Sequence, residues 1–76
     1  MSDRVPFWIY EDHARGLALL RGRTADEALD ALPDGRRTAR WSTAGKGYVI
    51  PLPLLGDLCA VAEMIGLSYR VKQVVG

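Results

Sequence analysis

The chain predicts an α+β fold in ββαββαβ order, with one mainly antiparallel sheet and two helices packed on one side of it. Three features lead there. Short runs of β-branched and aromatic residues recur between glycines and prolines. Two stretches space their apolar residues three and four apart, as one face of a helix requires. A length of 76 residues suits a single small domain, 1–76.

Residues 5–10 (Val5, Pro6, Phe7, Trp8, Ile9, Tyr10) read as a first strand, with Pro6 suited to its beginning because proline lacks an N–H for the ladder. The polar stretch 11–16 ends in glycine and makes a turn into a second strand, 17–21. Thr24, Ala25, Asp26 and Glu27 spell a capping box, in which Thr24 would cap the helix and Glu27 would reach back to it. Ala25, Ala28, Leu29 and Leu32 then lie on one helical face, and Pro33-Asp34-Gly35 stops the helix. Residues 36–42 read as a third strand and 48–50 as a fourth, joined by a glycine-bearing hairpin loop at 43–47. Pro51 and Pro53 open a second helix, whose buried face is expected at Leu54, Leu58, Val61, Ala62 and Ile65, with Gly66 beyond its end. Gly56 inside it either permits close packing or marks a later start. In the last strand, 67–75, Leu67, Tyr69 and Val71 alternate with Ser68, Arg70 and Lys72, which predicts one wet face.

Composition narrows the function classes. Hydrophobic residues form 49% of the chain, enough for one core and too many for a disordered segment. So short a domain has little interior to give up to a large active-site cavity. Cys59 is the only cysteine, so neither an internal disulfide nor a cysteine-rich zinc site is expected. The segment 1–6 lacks an apolar signal core and no apolar run reaches membrane-spanning length, which makes the cytoplasm the expected location. Arginine dominates over lysine, with much Ala, Gly and Asp. That is the usage of a GC-rich coding sequence, as in an actinobacterium or its phages. Net charge is +1 but unevenly spread. Residues 1–35 hold four Arg against seven acids, a balance of −3, and residues 36–76 hold four Arg and two Lys against two acids, a balance of +4.

The basic half supplies the leading functional expectation. Arg36, Arg37, Arg40 and Lys46 fall on or beside the expected central hairpin, together with Trp41 and Tyr48. Guanidinium groups pair with phosphates, and exposed rings stack on bases. Arg70 and Lys72 would extend the surface if the last strand neighboured the hairpin. The reading is a non-enzymatic DNA- or RNA-binding module without cofactor or metal. Set beside it is the plainer one, that these are solvated edge charges deterring aggregation while Trp41 and Tyr48 pack in the core.

Leu32-Pro33-Asp34-Gly35-Arg36-Arg37, then Arg40-Trp41, then Gly47-Tyr48-Val49-Ile50-Pro51-Leu52, then a helix and a strand, resembles the HARP domain, the DNA-binding module beside the motor of annealing helicases. The resemblance covers residues 32–74 and implies DNA contact through Arg36, Arg37 and Arg40. The chain departs from the family pattern in carrying Asp34 within the turn, in having Tyr48 where tryptophan is commoner, and in lacking an ATPase motor.

Other candidates point elsewhere. Trp8 and Tyr10 share one face of the first strand. Either that strand is covered on both sides, or the two rings form a contact patch for a protein partner or a second copy of the chain. The chain would then be a small adaptor or inhibitor. Gly45-Lys46-Gly47 lies between two strands, which fits a hairpin turn and not a phosphate-binding loop. His13 with Cys59 would make a nucleophile pair only if burial did not silence the thiol. Glu11, Asp12 and His13 are adjacent and do not by themselves converge on one ion.

Overall fold

A computed structural model describes residues 6–73, with the side chain of Arg36 left outside the description. The expectations for Val5 and for residues 74–75 therefore lie outside the described residues.

The chain runs β1 (Phe7–Asp12), β2 (Leu17–Arg21), α1 (Arg23–Ala31), α2 (Gly35–Thr38, one helical turn), β3 (Arg40–Ser42), β4 (Gly47–Pro51), α3 (Leu52–Met64) and β5 (Tyr69–Gln73). The five strands form one sheet in the order β3-β4-β2-β1-β5. Neighbours are antiparallel except β1 and β5, which run parallel because α3 carries the chain across from β4. The ββαββαβ order and the α+β class are as the sequence predicts.

Alternation within the strands sets the core. Phe7 and Ile9 on β1, Ala18 and Leu20 on β2 and Ile50 on β4 are all essentially inaccessible. They share one face, and Ala25, Ala28 and Leu29 of α1 and Leu55, Leu58 and Ala62 of α3 pack onto it. Both main helices therefore cover the same side. Leu32 and Leu67 extend this cluster, and Tyr69 reaches it with its ring 5.8 Å from that of Phe7.

Several local expectations are corrected. The stretch 36–42 is not one strand. Asp34 turns left-handed (φ 60), and Thr38 and Ala39 donate backbone bonds to Asp34 and Gly35, so the arginines continue as the single turn α2. Arg is a good helix former, and Thr38, itself a strand former, is held in the turn because its N–H and hydroxyl both donate to the Asp34 carbonyl. Thr24 is not the helix cap. Gly22 occupies that position and its carbonyl accepts from the Ala25 N–H at 3.3 Å, which puts Thr24 inside the first turn. In α3 the central buried stripe is Leu55, Leu58 and Ala62, with Leu54 and Val61 partly buried against the core, while Ile65 caps the helix end and is 41% exposed. Gly56 neither aids packing nor marks the start. The helix begins at Leu52, and a methyl group at Gly56 would meet nothing within 4 Å. At the far end Leu67 N–H reaches the Ala62 carbonyl (2.8 Å) and Gly66 N–H the Glu63 carbonyl (3.2 Å). That is a Schellman cap, with left-handed Gly66 (φ 81) closing the helix as the sequence predicts.

Candidate functional site

The helices leave the other face of the sheet open. Because Phe7 and Ile9, and Ala18 and Leu20, point inward, their alternate neighbours stand on that outer face. Strand register arranges these neighbours in transverse rows. Arg70, Trp8 and Arg21 stand side by side across β5, β1 and β2. Lys72, Tyr10, Leu19, Val49 and Arg40 form the next row, across all five strands. Both aromatic rings thus stand on β1, next to the β5 edge, with Arg70 and Lys72 on one side and Arg21 on the other, while Arg40 lies at the opposite edge beyond Leu19 and Val49.

The cations and rings touch. Lys72 Nζ lies 4.9 Å from the centre of the Trp8 ring, and the Arg21 guanidinium lies 6.0 Å from that of Tyr10. The negative face of each π system attracts the charge, contributing about 0.5–1 kcal/mol at an exposed site. Among the described strand residues, Asp12 is the one acid whose alternation places it on this face. Arg15 answers it: its Nε lies 3.7 Å from Asp12 Oδ2, and its backbone N–H donates to Oδ1 at 3.2 Å. Beside Tyr10 and Arg21 a hollow of about 300 Å³ is floored by Leu17, Leu19 and Val49. That volume is at the lower end of small-ligand sites.

The predicted residues are only partly brought together. Arg40, Arg70 and Lys72 stand on the open face, but β5 forms the edge opposite the β3–β4 hairpin, so the last strand does not neighbour it. Trp41 and Tyr48 pair across β3 and β4 on the helix side, with ring centres 5.1 Å apart at 74°. Lys46 lies in the hairpin loop with a left-handed backbone (φ 53). Arg37 is on α2, its Nη1 3.7 Å from Asp34 Oδ1, and not on a strand with Arg40. The two rings assigned to a protein partner, Trp8 and Tyr10, are the ones that share a surface with Arg70 and Lys72. Arg21, paired with Trp8, joins this surface without a signal in the sequence. Leu17, Ala18, Leu19 and Leu20 are all apolar, so the sequence offers no alternation from which its face could be read.

His13 and Cys59 line a common shallow hollow with Glu11. His13 Nε2 lies 3.0 Å from Glu11 Oε1. Burial pushes the Cys59 thiol pKa above its ordinary value. A hydrogen bond with Tyr69 opposes this, and the carboxylates of Glu63 and Glu11 add to it. The Tyr69 hydroxyl donates to Glu63 Oε2 at 2.8 Å, which raises its own pKa as well. This environment disfavours a thiolate. Among the described residues no group of three His, Cys, Asp or Glu is placed to hold a metal ion, and no helix is long and apolar enough to cross a membrane.

No family model matches the chain, and neither curated proteins nor solved structures give a match.

Proposed function

We propose that the chain is a small binding module, without catalytic function, for single-stranded nucleic acid, and that the strand lies across the open sheet face. Bases stack on Trp8 and Tyr10, and phosphates meet Arg21, Arg40, Arg70 and Lys72. The observation that carries this is the register, which sets each ring in a row with cations on a face that neither α1 nor α3 covers among the described residues. Stacking needs unpaired bases, whose faces a duplex hides. Each stacked base contributes about 1–3 kcal/mol, and the phosphate contacts steer the strand without reading its sequence.

A protein partner docking on Trp8 and Tyr10 is the weaker reading: either ligand must displace the cations that rest on the rings, and a phosphate pairs with them where an apolar contact would only desolvate them. Trp8 and Tyr10 are half-buried, and the large exposed apolar side chains among the described residues lie elsewhere: Trp41 on β3, Met64 and Ile65 at and just past the end of α3, and Val71 on β5.

Fluorescence anisotropy with a labelled oligonucleotide, single-stranded and then as a duplex, tests the proposal. The single strand should bind more tightly at low salt. Arg70→Glu with Lys72→Glu should weaken it by at least about tenfold, whereas Arg37→Glu on α2 should leave it nearly unchanged. Tighter duplex binding, or equal losses from both sets of changes, would count against it.

A further inference from the structure

On the helix side, where β2 enters α1 and the β3–β4 hairpin turns, a second hollow of about 310 Å³ is lined by Leu20, Arg23, Asp26, Trp41, Lys46 and Tyr48. Its chemistry is mixed. Trp41 is 58% exposed and stands edge-to-face with Tyr48, so part of the indole surface is left bare. Arg23 and Lys46 bring positive charge to the rim. Asp26 offsets part of that charge, so the hollow is not built as a trap for a simple anion.

Lys46 carries a second signal. Its left-handed backbone is one that glycine adopts without cost and lysine does not, yet lysine stands here between Gly45 and Gly47. Gly47 itself is fixed by packing, since a methyl group there would collide with the Leu20 carbonyl. A strained residue that sets a cation at the mouth of an aromatic hollow is a sign of function over stability.

We propose that this hollow is a separate nucleotide subsite, which takes one base against Trp41 and its phosphate on Lys46 and Arg23. It rests on the reading that the ligand is a nucleic acid, but it lies on the face opposite Trp8 and extends the footprint over the end of the sheet.

The two tryptophans of the chain allow each surface to report separately. Trp8→Phe keeps a ring on the open face and leaves Trp41 as the sole indole, while Trp41→Phe leaves Trp8. Titrating each with a short single-stranded oligonucleotide at low salt should quench both reporters. Lys46→Gly, placed in the Trp41-reporting chain, should weaken the Trp41 response at least fivefold without lowering the urea midpoint. Inorganic phosphate at the same concentration should give no quenching. If Trp8 responds and Trp41 stays silent, the subsite is refuted and the open-face reading survives. If Trp41 alone responds, the open-face reading falls instead, and if neither does, both fall. A Trp41 response that Lys46→Gly leaves intact, or that phosphate alone reproduces, also overturns the subsite.

Discussion

Lys72 and Arg21 rest on the rings that a base would use, so a ligand has to exchange a cation–π contact for a stacked base and a phosphate contact. Lys72→Met should therefore weaken oligonucleotide binding less than Lys72→Glu, because it loses the charge without adding repulsion. Anisotropy on the pair checks this ordering. Glycine positions separate in the same residue-level way. Gly47→Ala drives a methyl into the Leu20 carbonyl and should cost about 2 kcal/mol or more, whereas Gly56→Ala fills open space on a helix and should gain about 1 kcal/mol. Urea denaturation of both variants reads this directly. Cys59 is a third case. Its thiol pKa is raised in the fold, so its contribution to stability is complete below the pH where an exposed thiol ionises, about 8.5, and declines as pH rises above it. The urea midpoint should fall on the alkaline side, by less in Cys59→Ala, and alkylation of the native thiol at neutral pH should be slower than in the unfolded chain. None of these partners could be read from the sequence, where Gly47, Gly56 and Cys59 show only their types.

At the scale of elements, legibility followed the strength of local signals. The Schellman end of α3 was readable because it depends on near neighbours, Gly66 above all. The alternation in β5 gives the faces but not the burial: Tyr69 and Val71 turn to the helix side, yet only Tyr69 is partly buried and Val71 stays 46% exposed on the edge strand. The start of α1 was misplaced because Gly22 took the cap ahead of a competent Thr24 box. The segment 36–42 is hard to read because Arg36 and Arg37 suit a helical turn as well as a strand, and the strand proper is only Arg40–Ser42. In α3 the many apolar residues between Leu52 and Ala62 give several overlapping helical stripes, and only contact with the sheet selects Leu55, Leu58 and Ala62. The consequence is measurable. Leu58→Ala should cost about 2–5 kcal/mol, enough to unfold much of a domain this small, whereas Ile65→Ala at an exposed site should cost less than about 1 kcal/mol. Circular dichroism at room temperature separates the two.

At the scale of the whole molecule, the sheet divides its surfaces. One face is sealed by α1 and α3. The other presents Trp8 and Tyr10 with Arg21, Arg70 and Lys72 beside them and Arg40 at the far edge. The sequence signalled the basic second half but not this grouping. Strand order decides which residues meet: β5 joins β1 at one edge, and the hairpin lies at the other. As a result Arg70 and Lys72 keep company with Trp8 and Tyr10 instead of with Trp41 and Tyr48. Charge asymmetry along a chain becomes a surface only through topology. The most direct test of the central claim is the salt dependence of single-strand binding, measured by anisotropy from about 20 mM to about 200 mM salt. With the four open-face cations each engaging a phosphate, the log–log slope should be about −3 and should flatten towards about −1 when Arg70 and Lys72 are both reversed to Glu. A slope near zero, or one that the double reversal leaves unchanged, would contradict the account.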